Sequence, residues 1–456
     1  MARSKTSSQR WVIIPVEVQV RELLGRLMVA AIAASRGYDV LIGHDRVIRR
    51  LARHLPKGIL FDKSLGAASE RKVARYHRLG YKITAVDEEA TGFYSNPELF
   101  LSIRLASQTL SQAERWFCIS EKLRQHAAAL FPGHDDKFMV TGLPRTDVWR
   151  QQHRGVFDKE VAALKQQHGD FLLFCSNFGH IVHAMHDRFL QRQISRAEAS
   201  FAGVKAYRAG IRADLQPNLQ AYLEMLPKLR QWFPGRKVIV RPHPSESGSF
   251  WRDALAHVDG LEVHEEGTAT PWILASSCLV HHGCTTGIEA ELTGRPHVMY
   301  APHPDRHHDT PLMTAFAPIV RDEAALKAML EAIVSKGRLQ TKDRGALEEY
   351  YAALEGKLAS ERIVDGFEQI DGGFSQLPAY LPWLEYLPRH LLARYWPRSK
   401  REAEYRAKKY PGTDVETVNL ALQQFAKTAG LGKELAASEA FPQLFHVRAK
   451  AASNGS

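Results

Sequence analysis

The sequence predicts an α/β protein of two successive halves, each a parallel sheet flanked by helices, followed by a basic tail. Three observations carry this. Short apolar runs alternate with amphipathic stretches from Trp11 to Val140, the same alternation resumes at Asp170, and the pattern stops at Asp371-Gly-Gly. Strands alternating with helices build parallel sheets covered on both faces. The 456 residues suit two or three domains, and 45% apolar with 24% charged residues excludes a largely disordered chain.

The elements follow in order. Trp11-Val-Ile-Ile-Pro-Val reads as a buried strand and Glu22 to Ser35 as a helix closed by Gly37. Strands at Tyr38 to Gly43, Ile59 to Phe61 and Tyr81 to Val86 alternate with helices through Val47 to His54 and Ala67 to Leu79. Trp116 to Ser120, a helix at Glu121 to Leu130, and Phe138 to Gly142 complete a first domain over 11–160. The second, over 165–370, opens with Asp170-Phe-Leu-Leu-Phe-Cys-Ser-Asn. It continues through a His-rich stretch into a helix at Asn218 to Phe233. Strands follow at Lys237 to Arg241, Leu261 to His264, Cys278 to His281 and His297 to Tyr300, and a helical pattern runs from Glu323 to Leu354.

The tail, 376–456, is read as helical. Between Arg389 and Lys409 it carries eight basic residues against Glu402 and Glu404, behind the aromatic run that starts at Tyr380. Apolar insertion beside cationic charge is what a membrane-surface anchor needs, and a tail packed on the body with its charges solvated explains the pattern equally well. No nucleic-acid module surrounds the basic stretch. Sixty-one Lys and Arg against 50 Asp and Glu give +11, a bias towards anionic partners. The four cysteines form no C-x-x-C pair, and there is neither an apolar leader nor a membrane-spanning run, so a cytoplasmic protein is expected.

Three clusters offer chemistry. Asp87, Glu88 and Glu89 follow a predicted strand, where carboxylates face the crevice of an open sheet; crowding raises at least one pKa, as a general base needs. The plain alternative is an acidic helix start. Arg241, His243 and Ser245 follow a buried strand, with prolines on both sides of His243 fixing the imidazole for a phosphate. Thr285 and Thr286 open a helix after a small-residue turn, an anion cradle or simple N-caps, with Glu289 one turn on and able to reach ribose hydroxyls. No dinucleotide fingerprint or Walker loop is present. His180, His183 and His186, and His303, His307 and His308 beside Asp305 and Asp309, show no fixed ligand spacing, so no metal is expected.

In this order the clusters resemble bacterial GT-B glycosyltransferases that use CMP-activated sugars, of the sialyltransferase and Kdo-transferase type. Their acidic, HP and Ser/Thr motifs look like Asp87-Glu88-Glu89, His243-Pro244 and Thr285-Thr286. Pro15-Val-Glu-Val-Gln-Val-Arg-Glu, Phe61-Asp-Lys-Ser, Gly142-Leu-Pro-Arg-Thr-Asp, Ser176-Asn-Phe-Gly and Arg241-Pro-His-Pro-Ser look like bacterial surface carbohydrate biosynthesis proteins, over roughly 11–370.

The resemblance implies two Rossmann-like domains facing a central cleft. It implies a nucleotide-sugar donor, CMP-linked, with no other cofactor, and a glycan or lipid-linked glycan acceptor at the inner membrane surface. Asp87, Glu88 or Glu89 would deprotonate the acceptor, and His243, Thr285 and Thr286 would hold the phosphate, with Arg241, Ser245, Glu289 and Asn177 completing the nucleotide site. Ala90 stands where the acidic motif has Gly, which leaves open which carboxylate acts. UDP-N-acetylglucosamine 2-epimerases and CDP-glycerol glycerophosphotransferases are the alternative enzymes of this kind, and a non-catalytic assembly factor is the alternative outside catalysis.

Overall fold

The computed structural model describes residues 9–90, 94, 96–185, 195, 198, 203–304, 311–336, 345–370 and 400–450. Its strands form two sheets. The first runs β13-β14-β2-β1-β3-β4-β5-β6. Here β1 is Arg10–Val16, β2 Tyr38–His44, β3 Ile59–Asp62, β4 Lys82–Val86, β5 Ala113–Cys118, β6 Phe138–Val140, β13 Leu435–Phe441 and β14 Leu444–Ala449. The second runs β12-β11-β10-β7-β8-β9 and is parallel throughout. Its members are β7 Phe171–Cys175, β8 Lys237–Arg241, β9 Leu261–Val263, β10 Cys278–His281, β11 His297–Tyr300 and β12 Ile319–Val320.

These orders place the sites. In the first sheet the order reverses between β1 and β3, and in the second between β7 and β10. Ligands of open α/β sheets bind outside the carboxyl ends at such switch points, because the chains leaving the two strands diverge and open a crevice. The strands there are buried on both faces: β1 from Trp11 to Val16, and all of β7 and β10.

The first helix, Gln19–Ser35, is buried on nearly every side from Leu27 to Ala34. It is covered by β2 and by two elements from the far end of the chain. One is the helix Ala359–Glu368, whose Ile363, Val364 and Phe367 join the first core; Phe367 meets Phe61 and Phe117 edge-on at 5.6 and 6.0 Å. The buried Asp147 carboxylate accepts the N–H groups of Ala359 (3.0 Å) and Ser360 (2.8 Å), capping that helix from the first half. The expected division at 165–370 is therefore corrected: 345–370 returns to the first half, because its apolar face matches the first sheet's helices.

The expected helical tail is corrected as well. A helix Lys400–Lys409 is followed by the helix Val415–Thr428, packed through Val418, Leu422 and Phe425, and then by the antiparallel hairpin β13–β14. The hairpin adds to the first sheet antiparallel to β2, in the register Leu444↔Gly43 to Val447↔Val40. His446 Nε2 sits 2.6 Å from Asp39 Oδ1, both buried, and Trp11 stacks on the imidazole at 5.3 Å. The β2 edge is thereby paired, and β13 becomes the outermost strand on that side. The aromatic run from Tyr380 to Pro397, on which the anchor expectation rests, lies outside the described residues. Among the described residues no helix is long and apolar enough to cross a membrane.

Two helices also differ in extent. The one expected from Asn218 begins at Val204 and runs to Trp232, because Ile211 and Leu215 extend the buried stripe of Leu219, Tyr222 and Leu226. The pattern read from Glu323 to Leu354 forms helices Glu323–Lys336 and Gly345–Glu348.

Candidate functional site

A cavity of about 290 Å³ opens between the halves at the switch point of the second sheet. Ser176 and Asn177 after β7, Pro242 to Pro244 after β8, and Gly283 to Thr286 after β10 form its second-half wall, together with Glu265 and Gly267 to Thr270. The first half supplies Gln19, Arg21 and Gly25 of the first helix and Arg145, and the tail helix supplies Lys408. Five expected residues, Arg241, His243, Thr285, Thr286 and Glu289, thus share one cleft with Asn177, the sixth.

His243 is held by its own loop. Its Nδ1 lies 2.7 Å from the Ser245 hydroxyl and accepts the Ser245 N–H at 3.2 Å, so the ring proton of the neutral form resides on Nε2. Burial, reinforced by the nearby Arg21, pushes the imidazole down to about 3. His243 is therefore a neutral N–H donor through the physiological range. Its folded pKa lies below its unfolded one, so its contribution to stability is present above pH 6.5 and is lost as pH falls towards 3. Phosphate binding accordingly carries no inflection from His243 between pH 5 and 8 (about one and a half units to either side of its ordinary pKa), which nucleotide titrations across that range would check. An inflection removed by His243→Asn would contradict this.

Ser245 is not part of the cavity wall; it sets the tautomer of His243. Arg241 lines the cleft, but its guanidinium donates to the carbonyls of Glu266 (2.6 Å) and Gly267 (3.0 Å) and lies over the Trp272 ring at 5.0 Å. It fixes the 266–268 wall. Thr285 and Thr286 open the eight-residue helix Thr285–Leu292, ahead of its own hydrogen bonds, after the left-handed Gly283 (φ +57°). Only glycine readily turns the chain there. Glu289 accepts the Thr270 hydroxyl, and burial raises its pKa.

Sequence reasoning missed the group beneath this site. The buried Glu246 accepts the Ser176 hydroxyl (2.5 Å), the Trp251 indole N–H (2.8 Å) and the Phe178 N–H (2.7 Å), and Ser176 in turn accepts the His243 N–H (3.2 Å). Burial raises its pKa to about 7. One carboxylate thus ties the ends of β7 and β8 together. Its signal was its place directly after Ser245 in a strand-end run.

The acidic run does not line this cavity: Asp87 and Glu88 are buried, and Glu89 reaches the cleft only through Arg21. Asp87 and Glu88 are 2% and 5% exposed, behind the first helix. Asp87 lies 3.5 Å from Arg104 and Glu88 3.7 Å from Arg26, and burial raises both pKa values. Burial also acts to raise Glu89, but Arg104 and Arg21, both ion-paired to it, hold it well below the carboxylate range. None of the three lines the cavity; Arg21 stands between, held by Glu89 at 3.0 Å.

Of the histidine clusters, His183 accepts the Met185 N–H at 2.9 Å and His303 donates its N–H to Asn218 at 3.2 Å. His186, Asp305, His307, His308 and Asp309 lie outside the described residues.

A second cavity, about 510 Å³, lies at the switch point of the first sheet. Arg46, Arg49, Lys63, Lys72, Arg406 and Lys409 line it, with Glu17, Asp45 and Asp62 as its carboxylates. Glu17 pairs with Lys63 at 2.8 Å, and its side chain is 53% exposed.

No family model and no curated protein matches this chain. Solved structures do. The UDP-GlcNAc 2-epimerase of Methanocaldococcus jannaschii, in complex with UDP-GlcNAc and UDP, aligns at 12% identity over 78% of this chain and 98% of its own, with a TM-score of 0.49. The UDP-N-acetylglucosamine 2-epimerase of Rickettsia bellii aligns at 11%, over 79% and 96%, at 0.47. Anabaena Alr3699/HepE, in complex with UDP and glucose, aligns at 10%, over 80% and 96%, at 0.38. At such identities and scores these are likenesses of architecture and assign no activity.

Proposed function

We propose that the cleft binds the phosphate of a nucleotide-activated sugar and that the protein transfers this sugar to a glycan acceptor, the donor being CMP-linked as the sequence resemblance implies. The observation that carries this reading is the convergence of the neutral His243 donor and the opening of the helix Thr285–Leu292 at the switch point between β7 and β10. Departure of the nucleotide loads negative charge on its phosphate, and fixed N–H donors around that phosphate act most strongly in the transition state. Glu289, near the same helix start, suits the ribose hydroxyls.

Transfer needs room for an acceptor, and the second cavity supplies it. Of the three carboxylates there Glu17 is the exposed one, and Lys63 keeps it ionised with its pKa below the usual carboxylate range, which suits it to accept hydrogen bonds from an acceptor's hydroxyls. The second reading is an epimerase of the UDP-N-acetylglucosamine kind. It is favoured by the absence of the acidic run from the donor cleft, since a reaction confined to the donor sugar needs no acceptor base there.

Calorimetric titration with CMP, CDP and UDP tests the proposal. Preferential CMP binding supports transfer from a CMP-sugar, UDP preference moves the assignment to the second reading, and binding of none overturns both.

A further inference from the structure

A cluster outside both cavities joins three donor atoms from distant points of the chain. His168 ends the helix Asp158–His168, Glu262 lies in β9, and His264 follows it. Glu262 Oε2 is 3.1 Å from His168 Nδ1 and 3.0 Å from His264 Nε2, and all three ligand atoms lie within 4.8 Å of one another. The other carboxylate oxygen, Oε1, is 2.7 Å from Lys237 Nζ.

Two neutral imidazoles and one carboxylate are the donor set of a three-ligand zinc site with an open fourth position. With metal–ligand bonds of about 2.1 Å, tetrahedral geometry puts ligand atoms roughly 3.4 Å apart. The two separations at Oε2 need to open by a few tenths of an ångström, and the two imidazole nitrogens, within 4.8 Å of each other, need to reach the same spacing, which the part-exposed His264 can do by turning its side chain. The carboxylate would ligate through Oε2 while Lys237 holds Oε1, an outer partner of the kind that orients metal ligands. His168 is 1% exposed and therefore fixed, whereas Glu262 (33%) and His264 (24%) leave a path for a hydrated ion.

The cluster also touches the cleft wall. Trp272 packs on both imidazoles, its ring 5.3 Å from His168 and 4.9 Å from His264, and Arg241, which fixes the 266–268 wall, lies 5.0 Å from the centre of the same ring.

We infer that His168, Glu262 and His264 form a binding site for one divalent cation of the zinc class, which clips the helix Asp158–His168 to the edge of the second sheet. The site is independent of the sugar-transfer reading.

The test is titration of the full chain, stripped with chelator, with zinc chloride, and with cobalt(II) chloride read by its tetrahedral visible absorption. One equivalent of metal is expected at a single tight site. His264→Ala and Glu262→Gln, both at part-exposed positions that leave the core intact, are each expected to weaken it by at least about tenfold. The metal is also expected to raise the melting temperature of the wild type and of neither variant. No stoichiometric uptake by the wild type overturns the site, as does uptake that both variants retain unchanged.

Discussion

Glu246→Ala is expected to unfold the floor of the cleft. The substitution strands the Ser176 hydroxyl, the Trp251 indole N–H and the Phe178 N–H in a buried position. An unsatisfied buried donor costs about 1–3 kcal/mol, so the sum is about 3 kcal/mol or more. A large fall in melting temperature with loss of nucleotide binding is the outcome to look for by calorimetry. Glu246→Gln retains an acceptor oxygen and is expected to lose less. The wild-type carboxyl also has a folded pKa above its unfolded one, so its contribution to stability declines as pH rises from about 4.5 to about 7. The Gln variant lacks that slope. A Glu246→Ala protein that melts with the wild type would show that the tie is unimportant.

The second large effect is expected from Gly43→Val. A Cβ at Gly43 would stand 2.1 Å from the Gln443 carbonyl oxygen and 2.8 Å from Leu444 Cα, where β14 lies against β2. Both obstacles are backbone, so the hairpin must leave rather than adjust. Its departure bares the β2 edge, the Asp39–His446 pair and the buried Leu444, Phe445 and Val447. Burying a side chain of this size is worth about 1.5–3 kcal/mol, so several kcal/mol are at stake. Limited proteolysis is expected to cut near the hairpin and to be followed by aggregation. Resistance equal to wild type would contradict the account of the tail as part of the first sheet.

How much of this was legible in the sequence depends on how local each signal is. The site around Thr285 and Thr286 is written in one short passage of strand, turn and helix, and His243 sits directly after β8. Such neighbours stay neighbours in the fold, and the two halves were legible for the same reason. The hairpin was not. Leu435 to Phe441 reads Leu-Ala-Ala-Ser-Glu-Ala-Phe, poor in strand-forming residues, and becomes a strand through its antiparallel pairing with β14, which itself docks on the β2 edge. Likewise the acidic run keeps its place after β4, but Arg21, Arg26 and Arg104 arrive from two separate helices and take its carboxylates into ion pairs. Nothing in the spacing of 168, 262 and 264 announces that those side chains meet.

The most direct test of the central claim is a titration of wild type and His243→Ala with CMP and UDP. The neutral Nε2–H of His243 donating to a phosphate is worth about 1.5–3 kcal/mol, as for hydrogen bonds to charged groups. The variant should therefore bind the preferred nucleotide roughly 10- to 150-fold more weakly, with its melting temperature little changed. Equal affinity in the two proteins would contradict the placement of the donor phosphate at His243 and Thr285–Thr286, and with it the proposed function of the cleft.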